Sequence, residues 1–169
     1  PELKAAFEAQ AIACRNLGSS FMGQLMDILP DVLFAAPRVM QRLNGWEGGV
    51  DASGASLPLR LAGGLHALVL QGKLPKLAPI YRGESSASLG AELTQALASW
   101  DDWLCLWLNN APQTNEVARS AVLIAAASEL AAQFKLPLTL SELGASAGLN
   151  LQFDAYQLLG TNWKIGPPS

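Results

Sequence analysis

The residues best equipped for chemistry stand together in Glu142-Leu143-Gly144-Ala145-Ser146-Ala147-Gly148. The run before them, 138–143, is short, apolar and bounded by Pro137 and Gly144, which predicts a strand, and Leu149, Phe153 and Tyr156 follow at helical spacing. A strand that ends in a small-residue turn and feeds a helix leaves backbone N–H groups unpaired beside a positive helix terminus, where open α/β folds hold ligands. Three readings stay open. One is such a ligand loop. The second is a nucleophile elbow, because Gly144 to Gly148 reads G-x-S-x-G and places Ser146 at the nucleophile position of a serine hydrolase. That chemistry also needs a histidine after the serine, and His66, the only one in the chain, precedes it. The third is that small residues merely let strand and helix pack tightly. The dinucleotide spacing GxGxxG is not matched.

Two further groups of polar residues flank this segment. Gln113, Asn115, Glu116 and Arg119 open a helix that leads into the strand; at base rate they are a cap and an i,i+3 ion pair, and their functional reading is contact with substrate or ordering of the loop. Asn150 and Asp154, one turn apart on the helix after the loop, are expected to share a face and do the same. His66 sits on an apolar helical pattern and reads as a core histidine.

Helices must position these residues. Leu3, Phe7, Ala11 and Cys14 mark a first helix that Gly18 ends, and Ser19 and Ser20 offer caps for a second, which Pro30 should break or kink. A turn-rich loop at 44–56 follows, then a helix on Leu57, Leu61, Leu65 and Leu68 whose Gly63-Gly64 pair should admit a close neighbour. The clearest helix, 89–108, carries Leu93, Leu97 and Leu104 with Trp100, Trp103 and Trp107, predicting a thick core. The helix after Glu116 presents Val117, Ala121, Ile124 and Ala125, small side chains suited to lying on a sheet or between helices.

Composition narrows the function classes. Half of the 169 residues are apolar and only 15% charged, enough for a large core and against disorder. Eleven Lys and Arg against 14 Asp and Glu give a net charge of −3, so no cationic field awaits nucleic acid. No unbroken apolar run approaches the roughly 20 residues that span a bilayer, which argues against a membrane partner, and the N-terminus does not read as a signal peptide. Cys14 and Cys105 are far apart with no CxxC, which removes zinc and fits a reducing cytoplasm.

The acidic residue two places before Gly144, with small residues at alternate positions after it, resembles the first motif of class I S-adenosylmethionine-dependent methyltransferases. The resemblance implies that Glu142, Gly144, Ser146 and Gly148 bind the cofactor's amino-acid end; Ser146 stands where that family usually has glycine. More widely, Cys14-Arg15-Asn16-Leu17-Gly18-Ser19, the segment from Gln113 to Arg119, and Glu142 to Leu151 with Asp154 and Tyr156 resemble a bacterial family of uncharacterised proteins, a domain of unknown function. Its members look like a helical N-terminal region joined to a methyltransferase-like Rossmann domain, and this chain resembles their N-terminal half. The expectation is therefore a mainly α chain: a helical domain at 1–135, then at 136–169 the first strand-turn-helix of a truncated Rossmann-like α/β domain. The implied activity is methyl transfer from S-adenosylmethionine, bound only by the full-length protein, to an acceptor the sequence does not identify. The rivals are a non-catalytic binding protein of the same fold and the serine hydrolase. A homodimer through the exposed strand is also expected.

Overall fold

The structure is a computed structural model and describes residues 2–113 and 116–167. The stripe of Phe7, Ala11 and Cys14 is the buried face of α1 (Glu2–Asn16). Gly18 ends that helix with a φ of 87°, while the Ser19 amide donates to the Cys14 carbonyl and the Gly18 amide to that of Arg15, both at 2.9 Å. These two bonds make a Schellman cap, which needs a left-handed residue where Gly18 stands. An ion pair between Arg15 and Asp27 links α1 to α2 (Ser20–Val32).

Of the break or kink expected at Pro30, the break does not occur there. The helix runs on to Val32, and a 3-10 turn at Leu33–Ala35 separates it from α3 (Pro37–Asn44). The break falls at Ala36, with φ −125° and ψ 78°, because the ring of a following proline pushes a residue out of helical backbone. Ala36 offers no side-chain cap, and the first amides of α3 are served from elsewhere. Asp101 of α6 (Leu89–Trp107) accepts from the Arg38 amide at 3.0 Å and the Val39 amide at 2.9 Å.

Helix α6 is the spine of the first unit, Pro1–Pro112. Leu93, Leu97 and Leu104 are fully buried on it, against Leu57, Leu61, Leu65 and Leu68 of α4 (Leu57–Leu70) and Leu25, Met26 and Leu29 of α2. The tryptophans expected in the core lie at its edge. Trp103 and Trp107 are half-buried and stack with ring centroids 5.0 Å apart, and Trp100, where the helix leaves helical dihedrals, meets Trp103 edge-on. Leucines occupy the centre because they interdigitate at helix spacing, whereas indoles keep a polar N–H near water. His66 is also not a core residue: it is exposed, its ring stacked 5.8 Å from that of Tyr81 in α5 (Leu77–Tyr81).

Two arginines close the end of α6. Arg42 donates to the Cys105 carbonyl and Asn109 Oδ1, both at 2.5 Å, and Arg60 donates to the carbonyls of Leu108 at 2.9 Å and Ala55 at 2.6 Å. Both guanidinium groups lie against the Trp46 ring. Cations there complement the negative helix terminus and occupy carbonyls that have no intrahelical donor. The 44–56 loop is thus fastened to α6 through Trp46 and Ala55.

The second unit is Gln113–Ser169. A 3-10 turn at Val117–Arg119 leads into α7 (Ser120–Phe134), which buries only Ser120 and Ile124. Val117–Phe134 is long and apolar enough, by length and composition, to cross a membrane, although Arg119, Glu129 and Gln133 interrupt it. Lys135 closes α7 in left-handed backbone, and the division into packing units falls after Pro112. Residues 138–143 form no strand here: they run as exposed chain into a turn at 143–144. A strand is held by ladder bonds to a neighbour, and the described residues place no neighbour beside them. The helix expected after the turn is a 3-10 helix, Leu149–Ala155. The two described strands, β1 (Leu158–Leu159) and β2 (Lys164–Ile165), form an antiparallel hairpin.

The glycine pair of α4 separates packing from propensity. A Cβ on Gly64 would come within 2.8 Å of both Leu104 Cδ2 and Trp107 Cδ1, whereas one on Gly63 would meet only Trp107 Nε1 at 3.7 Å. Gly64→Ala should therefore destabilise, because overpacking of about 1–3 kcal/mol outweighs a propensity gain of about 1 kcal/mol. Gly63→Ala should collect that gain with little clash. Denaturant midpoints that move in opposite directions check this; a shared direction refutes the close-approach argument.

Candidate functional site

The loop from Glu142 to Gly148 is built on backbone sign alternation. Gly144, Ser146 and Gly148 have φ of 69°, 51° and 71°, while no positive φ occurs at Ala145 or Ala147. The Gly148 amide donates to the Ala145 carbonyl at 2.7 Å, closing a β-turn with Ser146 and Ala147 in its centre. A positive φ at the first central residue and a negative one at the second is the II′ pattern, whose first position favours glycine. A serine in a cofactor loop is expected on relaxed backbone, whereas Ser146 holds a left-handed φ that costs a side chain about 1–2 kcal/mol.

The glycines serve conformation rather than close packing. A Cβ on Gly144 or Gly148 would meet nothing within 4 Å, so the tight strand-helix packing offered as the bland explanation is not what these positions supply. No acceptor for the N–H groups of Gly144 and Ser146 is found among the described residues, Ala145 follows the turn at 143–144, and Glu142, Gly144 and Ser146 are exposed. The loop thus combines two amides without acceptors among the described residues with the exposed residues Ser146 and Glu142.

Its downstream side is anchored. Ser120 Oγ donates to Asn150 Oδ1 at 2.9 Å, tying the start of α7 to the 3-10 helix that Gly148 opens, and Tyr156 donates its hydroxyl to the Leu149 carbonyl at 2.9 Å. Ser120 is 2% exposed. Sequence reasoning missed it, since a serine one place after Arg119 carries no signal apart from its position in the first turn of a helix.

The remaining candidates separate. Asn115 lies outside the described residues. Gln113 is exposed. Glu116 caps its own turn, accepting from the Ala118 amide at 2.9 Å, and it makes no ion pair with Arg119, contrary to the expected i,i+3 bridge. Asn150 and Asp154 are not on one regular helix turn, because the backbone between them leaves helical dihedrals at Gln152. Asn150 turns to Ser120, while Asp154 borders an open cavity of about 500 Å³. A neighbouring cavity of about 420 Å³ is bordered by Glu116 and Ser120, and Ile124 and Tyr156 line both. Glu142, Gly144, Ser146 and Gly148 line neither.

The backbone of Ser146 gives a stability test. Ser146→Gly removes the positive-φ penalty of about 1–2 kcal/mol and returns about 0.4–1 kcal/mol of unfolded-chain entropy, so the variant should be slightly more stable. Ser146→Val, with a branched Cβ at the same dihedral, should lose stability. Equal denaturant midpoints for serine, glycine and valine would contradict the dihedral assignment.

No curated protein and no solved structure matches the chain. A family does: residues 4–169 match the one described as an uncharacterized protein conserved in bacteria, DUF2332. With nearly every residue inside that match, the chain belongs to this bacterial family, the one its sequence motifs resemble.

Proposed function

We propose that the protein is an S-adenosylmethionine-dependent methyltransferase whose cofactor loop is Glu142 to Gly148. The observation that carries this reading is the coincidence of the three positive-φ residues, Gly144, Ser146 and Gly148, with the three small positions of the methyltransferase-like motif. The middle position has the backbone that explains a glycine there, although this chain has serine. The donor set suits the group. The amides of Gly144 and Ser146 are fitted to a carboxylate, and Glu142 is fitted to an ammonium, the two charges of the cofactor's amino-acid end. When bound, the cofactor supplies the electrophilic methyl group. The chain's own part is to bind and orient, which is the larger share of catalysis when reactants must be aligned. Two free thiols support placing it in the reducing cytoplasm.

A second reading has one specific observation in its favour. Ser146 is exposed on strained backbone in G-x-S-x-G, as a nucleophile elbow requires. It still needs a histidine, and none follows Ser146 in this chain.

Calorimetry of the full-length protein with S-adenosylhomocysteine tests the proposal. Binding should occur, and Glu142→Gln should weaken it by about tenfold or more through loss of one charge-assisted hydrogen bond. Unchanged affinity in Glu142→Gln would remove the carboxylate from the site, and no binding would favour a non-catalytic protein of this fold. Labelling by a fluorophosphonate that disappears in Ser146→Ala would establish the hydrolase instead.

A further inference from the structure

The cavity bordered by Asp154 has a charge pattern that selects a ligand. Its walls are mainly apolar, contributed by Ile124 of α7, Leu138 and Leu140 before the loop, and Phe153 after it, with the Ser128 hydroxyl among them. At about 500 Å³ it falls within the range of small-molecule sites. Among the described residues, Asp154 is the only charged one that lines it. Lys135 and Lys164 each stand one residue outside the lining, and neither pairs with Asp154, which makes no ion pair or hydrogen bond among the described residues. Tyr156 adds little polarity, since its hydroxyl is spent on the Leu149 carbonyl.

We infer that this cavity binds an amphipathic amine, its apolar body against Ile124, Leu138, Leu140 and Phe153 and its ammonium on Asp154. An apolar wall with one unpaired carboxylate at its edge favours a cation with a hydrocarbon tail. A neutral tail loses the charge-assisted bond, and an anionic one meets repulsion. The site stands on its own geometry. That it receives the methyl acceptor rests on the methyltransferase reading above, and follows from its walls coming from both flanks of the cofactor loop.

Three probes of one length separate the terms: octylamine, octanol and octanoate, titrated into the full-length protein by calorimetry without S-adenosylhomocysteine. Octylammonium should bind roughly tenfold tighter than octanol, the effect of one solvent-screened charge-assisted bond, and octanoate more weakly than either. Asp154→Asn, an exposed and nearly isosteric change, should bring octylamine down to the level of octanol and leave octanol unchanged. Ala131→Trp, which fills the cavity from α7, should abolish binding of both. No binding of octylamine, no preference by charge, a preference that survives Asp154→Asn, or binding that survives Ala131→Trp would each overturn the assignment. Because the cofactor is absent from these titrations, their failure is distinct from failure of the methyltransferase reading.

Discussion

The first unit depends on how closely α4 can approach α6. That distance is set at Gly64, where any side chain would enter the space of Leu104 and Trp107. The close approach lets the leucines of both helices interlock, and dense packing of this kind makes the burial of each one effective. It also fixes where the end of α6 lies, and hence where Arg42 and Arg60 can reach its last carbonyls. Asp101 then connects α6 to the amides of α3 that Ala36 leaves without a cap. The polar bonds of this unit are thus arranged around one apolar contact.

The second unit is organised by backbone instead. Its buried apolar residues are few, Ile124 and Phe153. Order in the 142–155 segment comes from local dihedrals and short-range hydrogen bonds, among them Gly148 to Ala145, Leu151 to Gly148, Tyr156 to Leu149, and the bond from Ser120 to Asn150. Such a segment can present amides outward, because it does not spend them on a ladder. The same economy leaves Leu138, Leu140, Leu143 and much of α7 in contact with solvent.

Periodicity made the first unit legible. The stripes at Leu3 to Cys14, Leu57 to Leu68 and Leu89 to Leu104 all became helices, and the close approach at the glycine pair was readable because two glycines in a helix need a reason. Less readable was anything depending on a distant partner. Asp101 caps α3 from another helix, a relation that no local window contains, and the tryptophans of α6 carry the hydrophobicity of core residues without a core position. In the site, small residues at alternate positions announced a turn, and the sign of φ agrees with them. The 138–143 run shows the opposite limit. Its composition is that of a strand, yet strand character belongs to pairing, and a sequence window records only the capacity for it.

Ser146 is where the competing chemistries meet, and the physical argument there concerns what a strained residue is for. Strain at one position persists only if the surroundings hold it, and here the Gly148-to-Ala145 bond and the anchored 3-10 helix do so. A hydrolase would use that strain to lift a hydroxyl clear of the backbone, and would need a base beside it. A cofactor loop would use the same turn to turn amides outward, for which the side chain is incidental and glycine would serve as well. The amide of Gly144 has no partner among the described residues, and glycine would hold this turn as well as serine, so the turn is explained by its backbone without calling on the hydroxyl. On that reading the serine is tolerated at a position built for glycine, and the strain it adds is a cost borne by the fold rather than a tool of the chemistry.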